Sequence, residues 1–386
     1  MLFQNKILDN LNSLALIATP SRKIVYISPS VKEILGFLPE ELLGENWWYK
    51  TKANTQEIVS AKKHLDSFLK GVDTHAKRTF ESRVKTKSGR YIYILWNVSF
   101  DDDDNIISIG NDITKRKEYE FLLEQKNKEI EDSRRELLSN ITYSQRIQNA
   151  ILPNLDRLQK SFSEVFVLYK PKDIVSGDFY WFFETERYSF IAAIDCTGHG
   201  VSGALLTTIG NALLREIVYR DKIISPSQIL FELDARLFDS LNNNGHENHV
   251  SDGMDIALCR IEKDKKCLCF SGAYRPLLIV KQNNEILEIK GSRFPIGLYT
   301  DVEKVFEEVE YYYEDSDTFY IFSDGYIDQF GGDRNKKMNK SRFKELLLTI
   351  NDFNFEERQS FLEYSFNNWR QDAEQIDDLL IIGFQA

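Results

Sequence analysis

The chain reads as an α+β protein in three parts, on three observations. Short apolar stretches bounded by turn residues fill residues 1–115, a polar tract without Gly, Pro or Trp fills 116–150, and strand-like apolar runs alternate with two helical patterns across 151–386. In the first part Lys23–Ile27, Tyr91–Val98 and Ile106–Ile109 are strand candidates, separated by turn signals at Ser88–Gly89 and in the run Asp101–Asn105. Val31, Ile34, Leu35 and Phe37 fall at helical spacing between them. In the middle part Leu123, Ile130, Leu137 and Ile151 sit on a seven-residue grid with Ser144 in the open place, and the second column holds Lys126, Ser133 and Asn140 before turning apolar at Ile147. That pattern predicts one long helix, either a solvated connector or a paired signalling helix. In the last part strands are expected at Phe166–Tyr169, Tyr188–Ile194, Ile256–Ile261, Cys267–Ser271, Leu277–Lys281 and Thr318–Phe322. Val201, Ala204, Leu205, Thr208, Ala212, Leu213 and Ile217 trace one helical face, and Ile229, Leu233, Leu237 and Leu241 a second. Helices and antiparallel strands mixed in this way predict a layered fold.

Composition narrows the class. A chain of 386 residues with 42% apolar content can build two or three cores. Its 49 basic and 60 acidic residues leave a net charge of −11, which argues against nucleic acid or an anionic membrane as partner. No uninterrupted apolar run approaches the ~18 residues of a membrane span. Met1–Thr19, broken by Lys6, Asp9 and Asn10, does not read as a signal peptide. The four cysteines, none before Cys196, give no disulfide framework. A cytoplasmic location is expected.

The chemistry gathers in the last part. Asp178 lies in Ser-Gly-Asp-Phe-Tyr-Trp; Asp195 closes Phe190-Ile-Ala-Ala-Ile and precedes Cys-Thr-Gly-His-Gly; Asp324 closes Phe319-Tyr-Ile-Phe-Ser; Asp377 and Asp378 precede Leu379-Leu-Ile-Ile-Gly. Strand ends are stiff, and neighbouring glycines let main-chain carbonyls approach closely, so carboxylates there keep a fixed mutual geometry. One Asp-Gly alone is only a turn. Several carboxylates meeting at one place repel unless cations stand between them, and hard oxygen donors favour Mg²⁺ or Mn²⁺ over Zn²⁺. Two such ions ~3.5–4 Å apart activate a water and neutralise a phosphate.

Four ordered motifs, Lys170-Pro-Lys-Asp-Ile-Val-Ser-Gly-Asp-Phe-Tyr, Ala193-Ile-Asp-Cys-Thr-Gly-His-Gly-Val-Ser-Gly-Ala, Phe322-Ser-Asp-Gly-Tyr and Gln375-Ile-Asp-Asp-Leu, resemble the SpoIIE-like branch of the metal-dependent type 2C (PPM) serine/threonine protein phosphatases. Asp255 in Asp-Gly-Met-Asp-Ile-Ala-Leu-Cys and Phe294-Pro-Ile-Gly look like the same branch. The resemblance implies an αββα sandwich holding two Mn²⁺ or Mg²⁺ ions, with a metal-activated water hydrolysing phosphoserine or phosphothreonine. Carried over, it implies that Asp195 bridges the ions with the Cys196 carbonyl as a further ligand, and that Asp178 and Asp324 complete the set with Asp377. Asp378 is the alternative ligand, because Leu379-Leu380 stands where the family carries Thr. His199, between two glycines, is a candidate general acid or a loop-shaping residue. Lys172 is a candidate for the substrate phosphate or a solvated lysine. Cys267 and Cys269 fit strand alternation better than a Cys-x-Cys metal site, and His246 and His249 lie in a polar loop.

The N-terminal part resembles a PAS sensor domain, on Ala18-Thr-Pro-Ser-Arg-Lys-Ile-Val-Tyr-Ile-Ser-Pro-Ser, Ile34-Leu-Gly-Phe-Leu-Pro-Glu-Glu-Leu-Leu-Gly and Asn111-Asp-Ile-Thr-Lys-Arg-Lys. Without a cysteine in this part, a flavin–cysteine adduct is excluded; His64 and His75 are the histidines available to a haem, and Trp47, Trp48, Tyr91 and Trp96 are candidates for a pocket or a core. Together the resemblances imply a PAS-regulated phosphatase acting on a phosphorylated partner such as an anti-sigma antagonist, and a homodimer paired through the helix. The competing class is a phosphatase-like module that binds without catalysis, which has no use for four mutually repelling carboxylates. A nucleotide-cyclase reading of Ser-Gly-Asp-Phe lacks the second acidic residue and the glycine loop it needs.

Overall fold

A computed structural model describes residues 12–70, 79–242, 252–301 and 303–386. The chain forms two compact units, residues 1–134 and 135–386. His75, His246, His249 and the side chain of His64 lie outside the described residues.

In the first unit, β1 (Leu14–Ala18), β2 (Ile24–Ile27), β3 (Thr79–Lys85), β4 (Tyr91–Phe100) and β5 (Ile106–Asp112) build an antiparallel sheet of order β2-β1-β5-β4-β3. Helices α1 (Val31–Leu35), α2 (Asn46–Thr51) and α3 (Thr55–Lys70) belong to the same unit. Val31, Leu35, Trp47 and Trp48 from α1 and α2 are buried in one core with Ile92, Ile94 and Trp96 of β4. Trp47 meets Trp96 edge to face, ring centres 5.8 Å apart. Trp47, Trp48 and Trp96 also line a cavity of about 450 Å³, with Leu16, Ile24 and Lys52; Tyr91 is not among its lining residues. β1, an unbroken apolar run, and β3, a polar edge strand with Val84 its one buried residue, go beyond the strands expected from sequence. Neither shows the apolar–polar alternation that marks a half-buried strand.

Helix α4 runs without interruption from Thr114 to Ile151. Its grid residues Leu123, Ile130 and Leu137, and Ile147 beside them, are all exposed.

After the end of α4 the second unit continues with α5 (Leu155–Ser161), capped by the Asn154 side chain, which accepts the Asp156 N–H. Then follow β6 (Glu164–Lys170), β7 (Asp178–Glu184), β8 (Ser189–Cys196), α6 (Gly200–Arg215), a π-helical turn at Glu216–Arg220, α7 (Pro226–Asn242), β9 (Met254–Glu262), β10 (Cys267–Ala273), β11 (Leu277–Val280), β12 (Ile286–Ile289), β13 (Val309–Tyr312) and β14 (Thr318–Phe322). The chain ends with the short α8 (Gly325–Asp328), a two-residue ribbon of β15 (Phe330–Gly331) and β16 (Lys336–Lys337), α9 (Asn339–Thr349), α10 (Phe355–Arg370) and β17 (Leu379–Gln385). Two five-stranded antiparallel sheets result, of order β13-β10-β9-β8-β7 and β12-β11-β14-β17-β6.

Three cores separate four layers. Phe190, Ala192 and Ile194 of β8 pack with Leu206, Leu214, Ile229 and Leu233 of α6 and α7. The intervening Ile191 and Ala193 pack with Ile279, Phe319, Ile321 and Ile382 of the other sheet. On that sheet's outer face Tyr320, Phe322 and Ile381 meet Phe343, Leu347, Leu362 and Phe366 of α9 and α10. Both faces of each sheet are covered, which is why the central strands read as continuous apolar runs. This is the αββα sandwich expected.

One expected face is corrected. The buried stripe of α6 is Gly203, Leu206, Thr207, Gly210 and Leu214, whereas Val201, Leu205, Thr208 and Ala212 are exposed. The helix lies so close to β7 that glycines form its inner stripe: a Cβ at Gly203 would stand 2.6 Å from the Cα of Gly177. A hydropathy pattern that counts only large apolar residues is drawn to the wrong side. The stretch Gly200–Arg220 is long and apolar enough to cross a membrane by length and composition, yet its inner stripe belongs to this core.

Candidate active site

The sheet register explains how distant aspartates meet. Asp178 at the start of β7 stands opposite Asp195 near the end of β8, and Asp195 stands opposite Asp255 at the start of β9. Because the strands are antiparallel, all three carboxylates come to one end of the sheet in adjacent positions. Like charges directly across a ladder repel. The facing sheet brings Asp324, just past β14, and Asp377 and Asp378, just before β17; these two strands are joined there by Ser323, whose N–H donates to the Leu380 carbonyl and whose hydroxyl accepts the Leu380 N–H, both at 3.0 Å.

Close packing holds the loops. A Cβ at Gly325 would lie 1.9 Å from the Asp378 carbonyl oxygen, so only glycine fits after Asp324. Asp378 is buried and its two oxygens accept main-chain N–H groups of the loop between β6 and β7, from Lys172 at 2.7 Å and Gly177 at 2.6 Å. Asp377 accepts the Asp378 N–H and otherwise feels Asp324 and Lys172.

Burial and mutual repulsion raise the carboxyls. Asp178, 2% exposed, is held well above the ordinary aspartate range, first by desolvation and then by Asp195, and its Oδ2 is buried without a hydrogen-bond partner. Asp195 is raised to about 7 by desolvation, with Arg275 pulling down and Asp324 and Asp255 pushing up. Desolvation raises Asp255 to about 6 against the same arginine, and raises Asp377.

Arg275 is the residue that the sequence reading misses. It lies two residues past β10, the strand beside β9. Its Nη2 stands 2.8 Å from Asp195 Oδ2, 3.0 Å from Asp255 Oδ2 and 2.7 Å from Asp324 Oδ2. The signal for it was the tip pattern itself, a charged residue just past an apolar strand and a glycine, in Gly272-Ala-Tyr-Arg.

His199 precedes α6, and its Nδ1 pairs with Asp173 Oδ2 at 2.7 Å rather than with a carboxylate of the crevice. Cys196, Cys259, Cys267 and Cys269 are buried free thiols. A second residue missed, this one without a sequence signal, is Gln148, buried near the end of α4. Its Nε2 donates to the Ser176 carbonyl at 2.6 Å and to Thr207 Oγ1 at 3.1 Å, and its Oε1 accepts the Ser176 N–H at 3.1 Å. Ser176 is two residues from Asp178.

The donor set is all oxygen, over-charged, and contains an orphaned buried carboxylate oxygen, which suits hard divalent cations. Among the described residues no three His, Cys, Asp or Glu side chains are grouped so as to hold a metal ion as they stand. The point where Asp195, Asp255 and Asp324 converge is held by a guanidinium.

Both parts of the chain are similar to known proteins. Residues 185–386, more than half of the chain, match the family Stage II sporulation protein E (SpoIIE), and residues 12–115 match the PAS domain. The structure is similar to the SiaA-PP2C domain of Pseudomonas aeruginosa at 28% identity, covering 66% of this chain and 98% of that one, with a TM-score of 0.59. It is also similar to the PP2C phosphatase domain with a fragment of the regulatory domain of SpoIIE from Bacillus subtilis, at 13% identity over 86% of this chain and 88% of that one, TM-score 0.47. No curated protein sequence matches the chain significantly.

Proposed function

Because the chain belongs to the SpoIIE family of PP2C-like serine/threonine phosphatases and carries a PAS domain ahead of the phosphatase domain, we propose that the aspartate crevice is its metal-dependent active site. The observation that carries this reading is the register Asp178–Asp195–Asp255, which meets Asp324 and Asp377 from the facing sheet. The domains are then 1–115 for the sensor, 116–150 for the linker and 151–386 for the phosphatase.

Two Mn²⁺ or Mg²⁺ ions held there would supply an activated water and charge neutralisation for a phosphate. Asp195, central in the ladder, would hold the ions with the Cys196 carbonyl, and Asp178, Asp324 and Asp377 would complete the donor set. Asp378, engaged by two loop amides, fixes the loop rather than leading as a ligand. Lys172, whose positive field reaches Asp377, is the residue we assign to the substrate phosphate. The pairing of His199 with Asp173 supports a loop-tying role over that of general acid. The substrate is a phosphoserine or phosphothreonine of a protein partner, such as an anti-sigma antagonist.

The contact of Gln148 with Ser176 supports regulation through the linker. A rotation or shift of the helix end would move the main chain that positions Asp178, so sensor state and site order are mechanically joined. The exposed apolar residues Leu123, Ile130, Leu137 and Ile147 support pairing of two copies through this helix. A cytoplasmic protein acting without nucleic acid or membrane fits the net charge of −11.

The direct test is hydrolysis of an aryl phosphate and of a phosphoserine peptide by the purified chain in Mn²⁺. Asp195→Asn should abolish both activities while leaving the far-UV circular dichroism unchanged; undiminished turnover in that variant removes the crevice as the active site.

A further inference from the structure

Arg275 carries an inference beyond the metal-site reading, on which it rests. Its side chain is only 13% exposed and directs a single nitrogen at three carboxylates, at 2.7, 2.8 and 3.0 Å. An Nη group has two hydrogens, so it cannot make three good hydrogen bonds, and one positive charge faces three negative ones. The Nε of the same guanidinium is buried without a partner. As an ion pair this is unbalanced on both sides. As a place-holder for a cation of higher charge it is consistent.

The backbone supports a built device. The Arg275 N–H donates to the Ala273 carbonyl at 2.7 Å across Tyr274, which has φ +58°, giving a γ-turn with its central residue in the left-handed region. The Arg275 carbonyl packs where a Cβ at Gly272 or Gly291 would lie 2.4 or 2.7 Å away. The main chain under Arg275 is therefore closely packed, and displacement of the guanidinium falls to rotation of the side chain. Strain of this kind persists where the surrounding structure enforces it and points toward function.

We infer that Arg275 is the resident cation of the crevice, and that a divalent ion must displace it to bind. A Mg²⁺ ion needs oxygens at about 2.0–2.1 Å, so the same Oδ2 atoms cannot close on an ion while they stand around the arginine nitrogen. Arginine keeps its charge at every working pH, so it leaves by moving and not by losing a proton. The competition lowers metal affinity and keeps the metal-free crevice folded.

The experiment is a Mn²⁺ titration of the full chain by calorimetry, with free Mn²⁺ followed by electron paramagnetic resonance, and thermal melting in EDTA alongside. Compared with wild type, Arg275→Met should bind Mn²⁺ roughly tenfold more tightly, since about one charge-assisted contact no longer has to be broken, and should melt lower in EDTA. Equal or weaker binding by Arg275→Met with a native circular dichroism spectrum overturns the inference. If that variant fails to fold, Arg275→Gln decides, because it keeps a polar side chain without the charge: tighter binding than wild type supports displacement, and equal or weaker binding refutes it. A wild-type chain that binds no Mn²⁺ would remove the metal-site reading itself, whereas unchanged affinity across the series, with wild type binding, removes only the role of Arg275.

Discussion

The two units distribute charge differently. In the PAS unit the ion pairs are partly exposed, as between Arg22 and Asp66, Lys62 and Glu45 at 2.7 Å, and Lys117 and Glu81 at 2.7 Å, while Lys52 beside the cavity donates to the Arg83 carbonyl at 2.9 Å. In the phosphatase unit Asp178, Asp195, Asp255, Asp324, Asp377 and Asp378 gather in one buried crevice, where Asp195, Asp255 and Asp324 share Arg275 and Lys172 lies at the margin. The same unit balances charge elsewhere, as where Lys304 meets Asp234 at 2.6 Å. The imbalance is therefore local. Balanced pairs are part of the scaffold, while a concentration of carboxylates that resist ionisation marks a site kept at a cost in stability.

Three substitutions sharpen that contrast. The largest effect is expected from Asp178→Asn. In Mn²⁺ its turnover should fall on the order of 100-fold, yet in EDTA at pH 8 the variant should melt above wild type. The sign follows from the raised carboxyl. A folded value above the unfolded one favours the protonated form, so its stabilisation is complete below the unfolded value near 4. It is lost as pH rises through the folded value, where wild type must bury a charge that Asn lacks. The gap in melting temperature should narrow as pH falls, and a gap independent of pH would contradict an origin in the buried carboxylate charge.

Gln148→Ala comes next. It leaves the Ser176 N–H and carbonyl buried without their partner, a loss of about 1–3 kcal/mol. Turnover in Mn²⁺ should drop roughly tenfold, while Mn²⁺ dissociation and circular dichroism change little. Wild-type turnover would disconnect the linker helix from the site. The smallest effect belongs to Glu45→Gln in the PAS unit. Its half-exposed pair with Lys62 should contribute no more than about 1 kcal/mol by chemical denaturation. A loss comparable to that from a crevice substitution would erase the contrast between the units.

Legibility from sequence follows the range of the interactions. The long helix, the apolar strands β8, β9, β10, β11 and β14 and the helix α7 were readable because each carries a local period or run. Helix α6 was readable as a helix but not in its facing, since Gly203 and Gly210 make the close contact. β12, β13, α9 and α10 were not picked out. Asp178, Asp195, Asp324 and Asp377 could be named as candidates from their place at strand tips and from resemblance. Asp255 had no separate role, and Arg275 and Gln148 had none at all.

By itself the sequence determined the kinds of element, the apolar strands and the excess of acid at their ends, because these are properties of neighbouring residues. Only the tertiary structure decided which acids face one another, that a single arginine stands among three of them, and that a glutamine of the long helix grips Ser176. Strand register and the meeting of two sheets join positions far apart in the chain, as between Asp195 and Asp324, and such pairings are selected by packing of the whole sandwich rather than by any local preference.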